Sequence, residues 1–367
     1  MKVMTIFGTR PEAIKMCPLI KTLKETKEIE CIVCLTGQHR EMLEQVMMAF
    51  EVEADYNLQI MQSNQTLMGI TCRVLSGLED ILEKESPDIV LVHGDTTTSF
   101  AAALSCFYKG IPVGHVEAGL RTYNMDSPFP EEFNRQAVDL ISQFYFAPTK
   151  LAEQKLLAEG KRAEQIFVTG NTVIDALRTT VRDNYTSPDL EWCSDSRMLL
   201  VTAHRRENLG EPMREMFRAI RSIVENYPDV KVIYPVHMNS KVREIADEIL
   251  GKVERVRLVE PLDVLDFHNY MKRAYLILTD SGGVQEEAPS LGKPVLVMRD
   301  TTERPEGVEA GTLKLVGTSY ENICNETCNL LDHEEIYHQM SVAANPYGDG
   351  HASERITEIL LRISDFQ

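Results

Sequence analysis

Met1-Lys2-Val3-Met4-Thr5-Ile6-Phe7-Gly8-Thr9-Arg10-Pro11-Glu12 opens the chain, and its reading decides the fold. Residues 3 to 7 read as a strand. Gly8 breaks the run before Thr9-x-x-Glu12, which has the spacing of a capping box, with Pro11 in the first helical turn. A strand therefore turns tightly into a helix, Pro11 to Glu25. A helix start carries roughly half a positive charge and unpaired N–H groups, which suits a phosphate. Arg10 adds a bidentate donor, and Lys15, one turn further on, adds a cation. A capped helix with surface charges would read the same way, so the later loops must separate the two.

The strand-helix rhythm continues along the chain. Strands are expected at 30 to 36, 88 to 93, 112 to 117, 143 to 147 and 166 to 169, with helices over 40–50, 66–83, 97–108 and 149–159 between them. This alternation is the signature of βα units on a parallel sheet. It restarts after the polar, turn-rich stretch Arg182 to Asp189, with strands at 197 to 203, 230 to 236, 255 to 259, 274 to 279, 294 to 298 and 312 to 316. The expected class is α/β, with two Rossmann-like doubly wound parallel-sheet domains facing across a cleft. Residues 1–170 and 171–352 form the domains, and 353–367 a C-terminal helix packing back on the N-terminal domain. Such sheets bind ligands at the carboxyl ends of their strands, so the strand-end loops of both halves should line the cleft.

The formal net charge of −18 opposes a nucleic-acid-binding role, which gathers Lys and Arg to displace counterions. No stretch reaches the roughly 18 apolar residues needed to span a membrane. The first residues enter a strand without the pattern of a secretion signal, so a soluble cytoplasmic protein is expected. Of the eight cysteines, Cys31 and Cys34 form a C-x-x-C. That odd spacing inside a strand sends the two thiols to opposite faces, and buried free thiols are the expected state.

The chemistry-bearing residues fall at strand ends. Thr279-Asp280-Ser281-Gly282-Gly283 follows a strand, and its glycines let backbone N–H groups approach an anion. The missing G-x-G-x-x-G argues against a tightly bound dinucleotide. Arg304 supplies a further charge. Three carboxylate segments, His93-Gly94-Asp95, His115-Val116-Glu117 and Pro128-Phe129-Pro130-Glu131-Glu132, are expected at or just beyond strand ends. Carboxylates gathered in a partly desolvated cleft suit acid–base chemistry, whereas structural ones would cap loops or pair with Arg121 and Arg135. The i, i+2 pairs His93/Asp95 and His115/Glu117 also admit a metal, but no local ligand cluster supports one, and none is assigned. His204, Arg205 and Arg206 close the first strand of the second half, and His237 ends the next. Gly170-Asn171-Thr172 reads as a capped hinge.

Together these residues closely resemble the non-hydrolysing UDP-N-acetylglucosamine 2-epimerases of bacteria. The resemblance covers nearly the whole chain. It is carried by GTRPEAIKM from Gly8, TGQH from Thr36, HGDTTT from His93, HVEAGLRT from His115, PFPEEFNR from Pro128, AHRRENLG from Ala203 and TDSGGVQEEAPSLGKPVLVMRDTTERPE from Thr279. It implies a glycosyltransferase-B fold and reversible conversion of UDP-N-acetylglucosamine to UDP-N-acetylmannosamine for cell-surface polysaccharide synthesis. The reaction eliminates UDP to give 2-acetamidoglucal and adds it back, with no cofactor. By the same resemblance the catalytic residues are Asp95, Glu117, Glu131 and His204. Arg10 and Lys15 serve the substrate and its phosphates, Ser281, Gly282 and Gly283 the diphosphate, Glu287 the ribose, and Arg304 the nucleotide or its phosphates, while Phe267 falls at the uridine-contact region. Leu262 stands where some relatives carry Gln. Gln38, His39, Arg205 and His237 match a second, allosteric UDP-N-acetylglucosamine site of some relatives. There, however, Glu41 replaces an expected Gln and Asn64 an expected Arg, which weakens diphosphate contacts. A homodimer is also implied.

A hydrolysing epimerase would share most of these motifs but release UDP and N-acetylmannosamine. A glycosyltransferase of the same architecture would leave C2 untouched. A UDP-sugar-binding regulator would have little use for the carboxylates.

Overall fold

The computed structural model describes residues 1–37, 40–62, 65–302 and 304–364. The chain divides into two compact units, Met1–Thr179 with Tyr347–Gln367, and Thr180–Pro346. In the first, strands β1 (Lys2–Phe7), β2 (Glu30–Leu35), β3 (Tyr56–Asn57), β4 (Ile89–His93), β5 (Val113–Val116), β6 (Phe144–Ala147) and β7 (Ile166–Val168) alternate with helices. These are α1 (Arg10–Glu25), α2 (Arg40–Ala49), α3 (Leu67–Glu85), α4 (Thr97–Lys109), α5 (Glu131–Ile141), α6 (Lys150–Ala158) and α7 (Thr172–Thr180). The sheet runs β3-β2-β1-β4-β5-β6-β7, and its ladders are parallel.

Strand β4 is buried along its whole length, as a parallel strand covered on both faces must be, and this is why it reads as an unbroken apolar run. Met4, Ile6, Val90 and Val92 pack with Val74, Leu78 and Leu82 of α3 and with Ala101 to Ala103 of α4. Each buried aliphatic side chain of this kind contributes about 1.5–3 kcal/mol. Strand order reverses between β1 and β4, so the loops after these strands flank the switch-point crevice, where such sheets bind ligands.

The second unit repeats the plan. Strands β8 (Arg197–Thr202), β9 (Val230–Pro235), β10 (Val256–Val259), β11 (Leu276–Thr279), β12 (Val295–Val297) and β13 (Leu313–Leu315) form a sheet in the order β10-β9-β8-β11-β12-β13. Its helices are α8 (Pro188–Trp192), α9 (Glu211–Asn226), α10 (Ser240–Leu250), α11 (Val264–Arg273), α12 (Gly282–Glu287), α13 (Pro305–Glu309), α14 (Tyr320–Asp332) and α15 (Glu334–Val342). Phe217, Ile220 and Val224 of α9 pack on Val232 and Tyr234 of β9 with Leu276 and Leu278 of β11. The buried Tyr234 hydroxyl donates to the Ala203 carbonyl at 2.7 Å, so burial leaves no polar atom of that ring unpaid.

The division falls later than residue 170, and residues 347–352 return to the first unit. The cause is hydrogen bonding across a long sequence gap. Asn171 donates its main-chain N–H to the Tyr347 carbonyl at 2.7 Å. The Asp175 carboxylate accepts the N–H groups of Ala352 (3.2 Å) and Ser353 (2.7 Å). That carboxylate caps α16 (Ala352–Ser364), which packs on α1 and buries Ile356 and Leu360. The two-residue β3 and the helices α5 and α8 are additions to the sequence reading.

Candidate active site

In the first unit the turn after β1 is built around Glu12. Its carboxylate accepts the N–H groups of Gly8 (3.0 Å) and Thr9 (2.7 Å) and the hydroxyls of Thr96 (2.6 Å) and Ser99 (2.9 Å). This buried carboxylate therefore ties the loop after β1 to the loop after β4. A Cβ on Gly8 would lie 1.9 Å from Thr36 Oγ1, so any larger residue here would force the buried Thr36 side chain to shift. Arg10 is half-buried at the start of α1. Lys15 is ion-paired to Glu117 through Oε1, so its charge is directed at that carboxylate.

Glu117 follows β5 with φ +70°, a left-handed conformation that costs a non-glycine residue roughly 1–3 kcal/mol and concentrates at functional sites. Its Oε1 also accepts Asn171 Nδ2 at 2.9 Å. Its Oε2 lies 3.9 Å from His93 Nε2 and 3.2 Å from where a Cβ on Gly94 would stand. Gly94, itself at φ +61°, thus makes room for the carboxylate. Burial pushes the His93 imidazole down to about 3, against the pull of Glu117, and Lys15 and His115 lower it further. The ring is neutral in the folded protein.

Asp95 is ion-paired through Oδ2 to Arg135, and its carbonyl accepts Asn134 Nδ2 at 2.9 Å. Both partners come from α5. Glu132 of the same helix accepts Thr122 N (3.0 Å), Tyr123 N (2.9 Å), Gln136 Nε2 (2.8 Å) and Arg135 Nη1 (3.2 Å). Burial raises the Glu132 carboxyl, but these donors outweigh it and hold it below the usual range. Glu131 corrects one expectation. It is the first residue of α5, half-buried, rather than a residue at a strand end. Two acidic residues suit a helix's first turn, so the chain becomes helical directly after Pro130.

His115 is enclosed, with Nδ1 2.6 Å from Asp139 Oδ1 and Nε2 2.8 Å from the Gly94 carbonyl. With both nitrogens engaged, the ring is a brace between β5 and the loop bearing Asp95. Arg121 pairs with Asp139 (2.7 Å) and Glu159 (2.7 Å) rather than with the site carboxylates. Among the described residues, no three His, Cys, Asp or Glu side chains gather as a metal site.

In the second unit, the loops after β8 and β11 flank the corresponding reversal of strand order. Asp280, fully buried, accepts the main-chain N–H of His204 with both oxygens (3.1 and 3.0 Å), that of Arg205 (2.9 Å) and Asn208 Nδ2 (3.1 Å). The His204 ring lies with Nδ1 3.3 Å from Asp280 and stacks on His237 at 5.6 Å. Burial lowers its basicity, which Asp280 partly restores. Ser281 precedes α12 and donates its N–H to Thr279 Oγ1 at 2.9 Å. Arg304 crosses over Gly282, where a Cβ would lie 3.1 Å from Nη1, and its Nε donates to the buried Glu286 at 2.7 Å. Glu287 faces His268 Nε2 at 3.5 Å, and Phe267 is half-buried on α11. Gln38, His39 and Asn64 lie outside the described residues, as does the side chain of Glu41.

The sequence reading passed over Asn171 as a hinge cap, and it did not single out Asp280 or Glu286. The signal was available in two cases, since Asp280 and Glu286 sit inside the quoted Thr279 motif.

A family model for UDP-N-acetylglucosamine 2-epimerase matches residues 21–361. A UDP-N-acetylglucosamine 2-epimerase of Bacillus subtilis is 60% identical over 98% of this chain and 95% of its own. The crystal structure of the Neisseria meningitidis UDP-GlcNAc 2-epimerase, bound to UDP-GlcNAc, superimposes with a TM-score of 0.90 at 49% identity, over 99% of this chain and 100% of that one. The Methanocaldococcus jannaschii UDP-GlcNAc 2-epimerase, in complex with UDP-GlcNAc and UDP, gives 0.80 at 36% identity over 99% and 100%. The two doubly wound units are those of the glycosyltransferase-B type, and the chain belongs to the UDP-N-acetylglucosamine 2-epimerase family.

Proposed function

We propose that this chain interconverts UDP-N-acetylglucosamine and UDP-N-acetylmannosamine by eliminating UDP to 2-acetamidoglucal and adding it back on inversion of C2. One observation carries the chemistry: at the switch point of the first unit, Asp95 and Glu117 are each held through one oxygen by a cation, Arg135 and Lys15 respectively. Breaking the C1–O bond builds positive charge at C1, which acidifies the C2 proton for a carboxylate. The C2–H electron pair becomes the C1–C2 double bond as the C1–O pair leaves with UDP. Inversion then needs an acid on the opposite face. Asp95, Glu117 and Glu131 are the candidates for the two roles, and His204 assists. In the second unit, Ser281, Gly282 and Gly283 with Arg304 would stabilise the departing diphosphate, Glu287 the ribose and Phe267 the uridine. Arg10 completes the phosphate contacts.

Incubation with UDP-N-acetylglucosamine in deuterated water, followed by NMR of C2, tests this reading. The expected result is the manno epimer with deuterium at C2 and no net release of UDP. Net UDP with N-acetylmannosamine would instead mark a hydrolysing enzyme. The absence of both exchange and the manno epimer would sink the proposal.

A further inference from the structure

Inversion of C2 by a base on one face and an acid on the other requires the acid–base carboxylates to exist in both protonation states within one turnover. Glu117 is built asymmetrically for this. Its Oε1 is held by two donors, Lys15 Nζ and Asn171 Nδ2, an arrangement that favours the carboxylate. Its Oε2 faces a different kind of atom. His93 Nε2 lies 3.9 Å away, buried and without a hydrogen-bond partner. An Nε2–H this near a carboxylate would have an acceptor to turn to, whereas the neutral tautomer protonated on Nδ1 presents a lone pair at Nε2 and leaves it unbonded. A carboxylate and a lone pair cannot bond each other. A carboxylic acid and a lone pair can.

We infer that His93 is a positioning residue for the protonated form of Glu117, accepting the Oε2–H through Nε2, whereas Lys15 and Asn171 hold the ionised form through Oε1. This rests on the epimerase reading. When Glu117 acts as base, the C2–H pair becomes the double bond, the C1–O pair leaves on UDP, and the proton bonds to Oε2, from which it is donated to Nε2 without leaving oxygen. When Glu117 acts as acid, on an intermediate whose proton was taken from the opposite face, the proton held on Oε2 is delivered to C2, the C1–C2 double-bond pair becomes the new C2–H bond, and the UDP oxygen adds back to C1. The orphaned Nε2 gains its partner only in the acid state, so His93 stabilises that state selectively. The groups around the ring are Glu117, Lys15 and His115, and the ring stays neutral throughout the cycle.

The test compares wild type, His93→Phe and His93→Gln with UDP-N-acetylglucosamine and its C2-deuterated form. Phe removes the acceptor, and kcat is expected to fall at least about tenfold, with KM within about twofold and a larger deuterium isotope effect on kcat. Gln, whose amide oxygen can accept, retains more activity than Phe. Wild-type kcat in His93→Phe, or a lowered kcat with an unchanged isotope effect, overturns the inference. Nitrogen-15 NMR of histidine-labelled wild type decides independently of whether the variants fold: Nε2 is expected to be unprotonated near neutral pH, and a protonated Nε2 overturns the inference. A wild type that neither epimerises nor exchanges C2 would instead defeat the underlying epimerase reading, a failure distinct from an active wild type with an indifferent His93.

Discussion

Asp280 holds the main-chain N–H of His204 with both carboxylate oxygens, at 3.1 and 3.0 Å, while facing the same residue's imidazole at 3.3 Å. One buried charge thus shapes the loop after β8 and tunes the ring that loop presents. Asp280→Asn keeps the shape but turns an acceptor group partly into a donor opposite several N–H groups. Bonds to a charged acceptor are worth about 1.5–3 kcal/mol each, so an unfolding loss of about 2–3 kcal/mol is expected. Because Asp280 raises a His204 pKa that burial lowers, the titration of His204 by NMR should move to still lower pH. A variant with the wild-type unfolding midpoint and an unmoved titration would contradict this role.

His93 makes the first unit sensitive to acid. Its ordinary value of 6.5 is pushed down to about 3 by burial, so between these two pH values the unfolded chain binds a proton that the folded chain refuses. The stabilisation is fully present above 6.5 and is lost as pH falls towards 3, with a slope approaching about 1.4 kcal/mol per pH unit. His93→Gln lacks the titrating ring. Urea unfolding at pH 7 and pH 5 should show wild type losing about 2 kcal/mol more than the variant. Parallel losses would show that the ring is protonated in the folded state.

The fold was legible where burial on two faces leaves continuous apolar runs, as in β4 and β11, and where Gly8 and Gly282 punctuate strand ends. Helix α5 was not. Its buried positions include Glu132, Asn134, Arg135 and Asp139, so the inward face carries polar groups that brace other loops, while Phe133 and Leu140, apolar and at helical spacing, stand exposed, the reverse of the pattern by which a helix is usually read. The turn-rich stretch from Arg182 lies just beyond the division at Thr179 and Thr180, and α7 falls before that division, rather than after residue 170, because Asp175 caps a helix that begins at residue 352. The carboxylates were identifiable by residue type, but their roles depend on partners such as Lys15, Asn171 and Arg135, which only folding brings to them.

Two glycines should separate folding from binding. Gly119, at φ +87°, would place an alanine Cβ 2.5 Å from the Ala152 carbonyl oxygen, a rigid main-chain atom. Gly119→Ala should cost about 3 kcal/mol or more, combining the strained conformation with the clash. At Gly282 the Cβ would instead meet Arg304 at 3.1 Å from Nη1 and 3.2 Å from Cζ, the far end of a side chain that can move. Gly282→Ala should keep its melting temperature within a few degrees while weakening UDP binding roughly tenfold, since a charge-assisted contact is displaced. Calorimetric titration with UDP checks the second, and thermal unfolding both. Equal melting losses in the two variants would refute the distinction.

Asn171 offers the cleanest test of how Glu117 is held. Its Oδ1 accepts the Val173 N–H at 3.1 Å and so shapes the start of α7, while its Nδ2 donates to Glu117 Oε1 at 2.9 Å. Asn171→Asp retains the accepting oxygen and the side-chain volume but replaces the donor with a second acceptor, placing two carboxylates on one lysine. Like charges so close cannot both remain ionised at ordinary cost, and the pair should share a proton. Glu117 would then start part of its turnovers in the wrong state. With Lys15 still present, substrate affinity should change little, whereas kcat is expected to fall at least about tenfold, within the range by which a positioned acid or base accelerates proton transfer. Steady-state kinetics across pH 6 to 9 would show the loss as a change in kcat and in the shape of its profile. A variant with wild-type kcat across that range would mean that the Nδ2 contact does not govern Glu117.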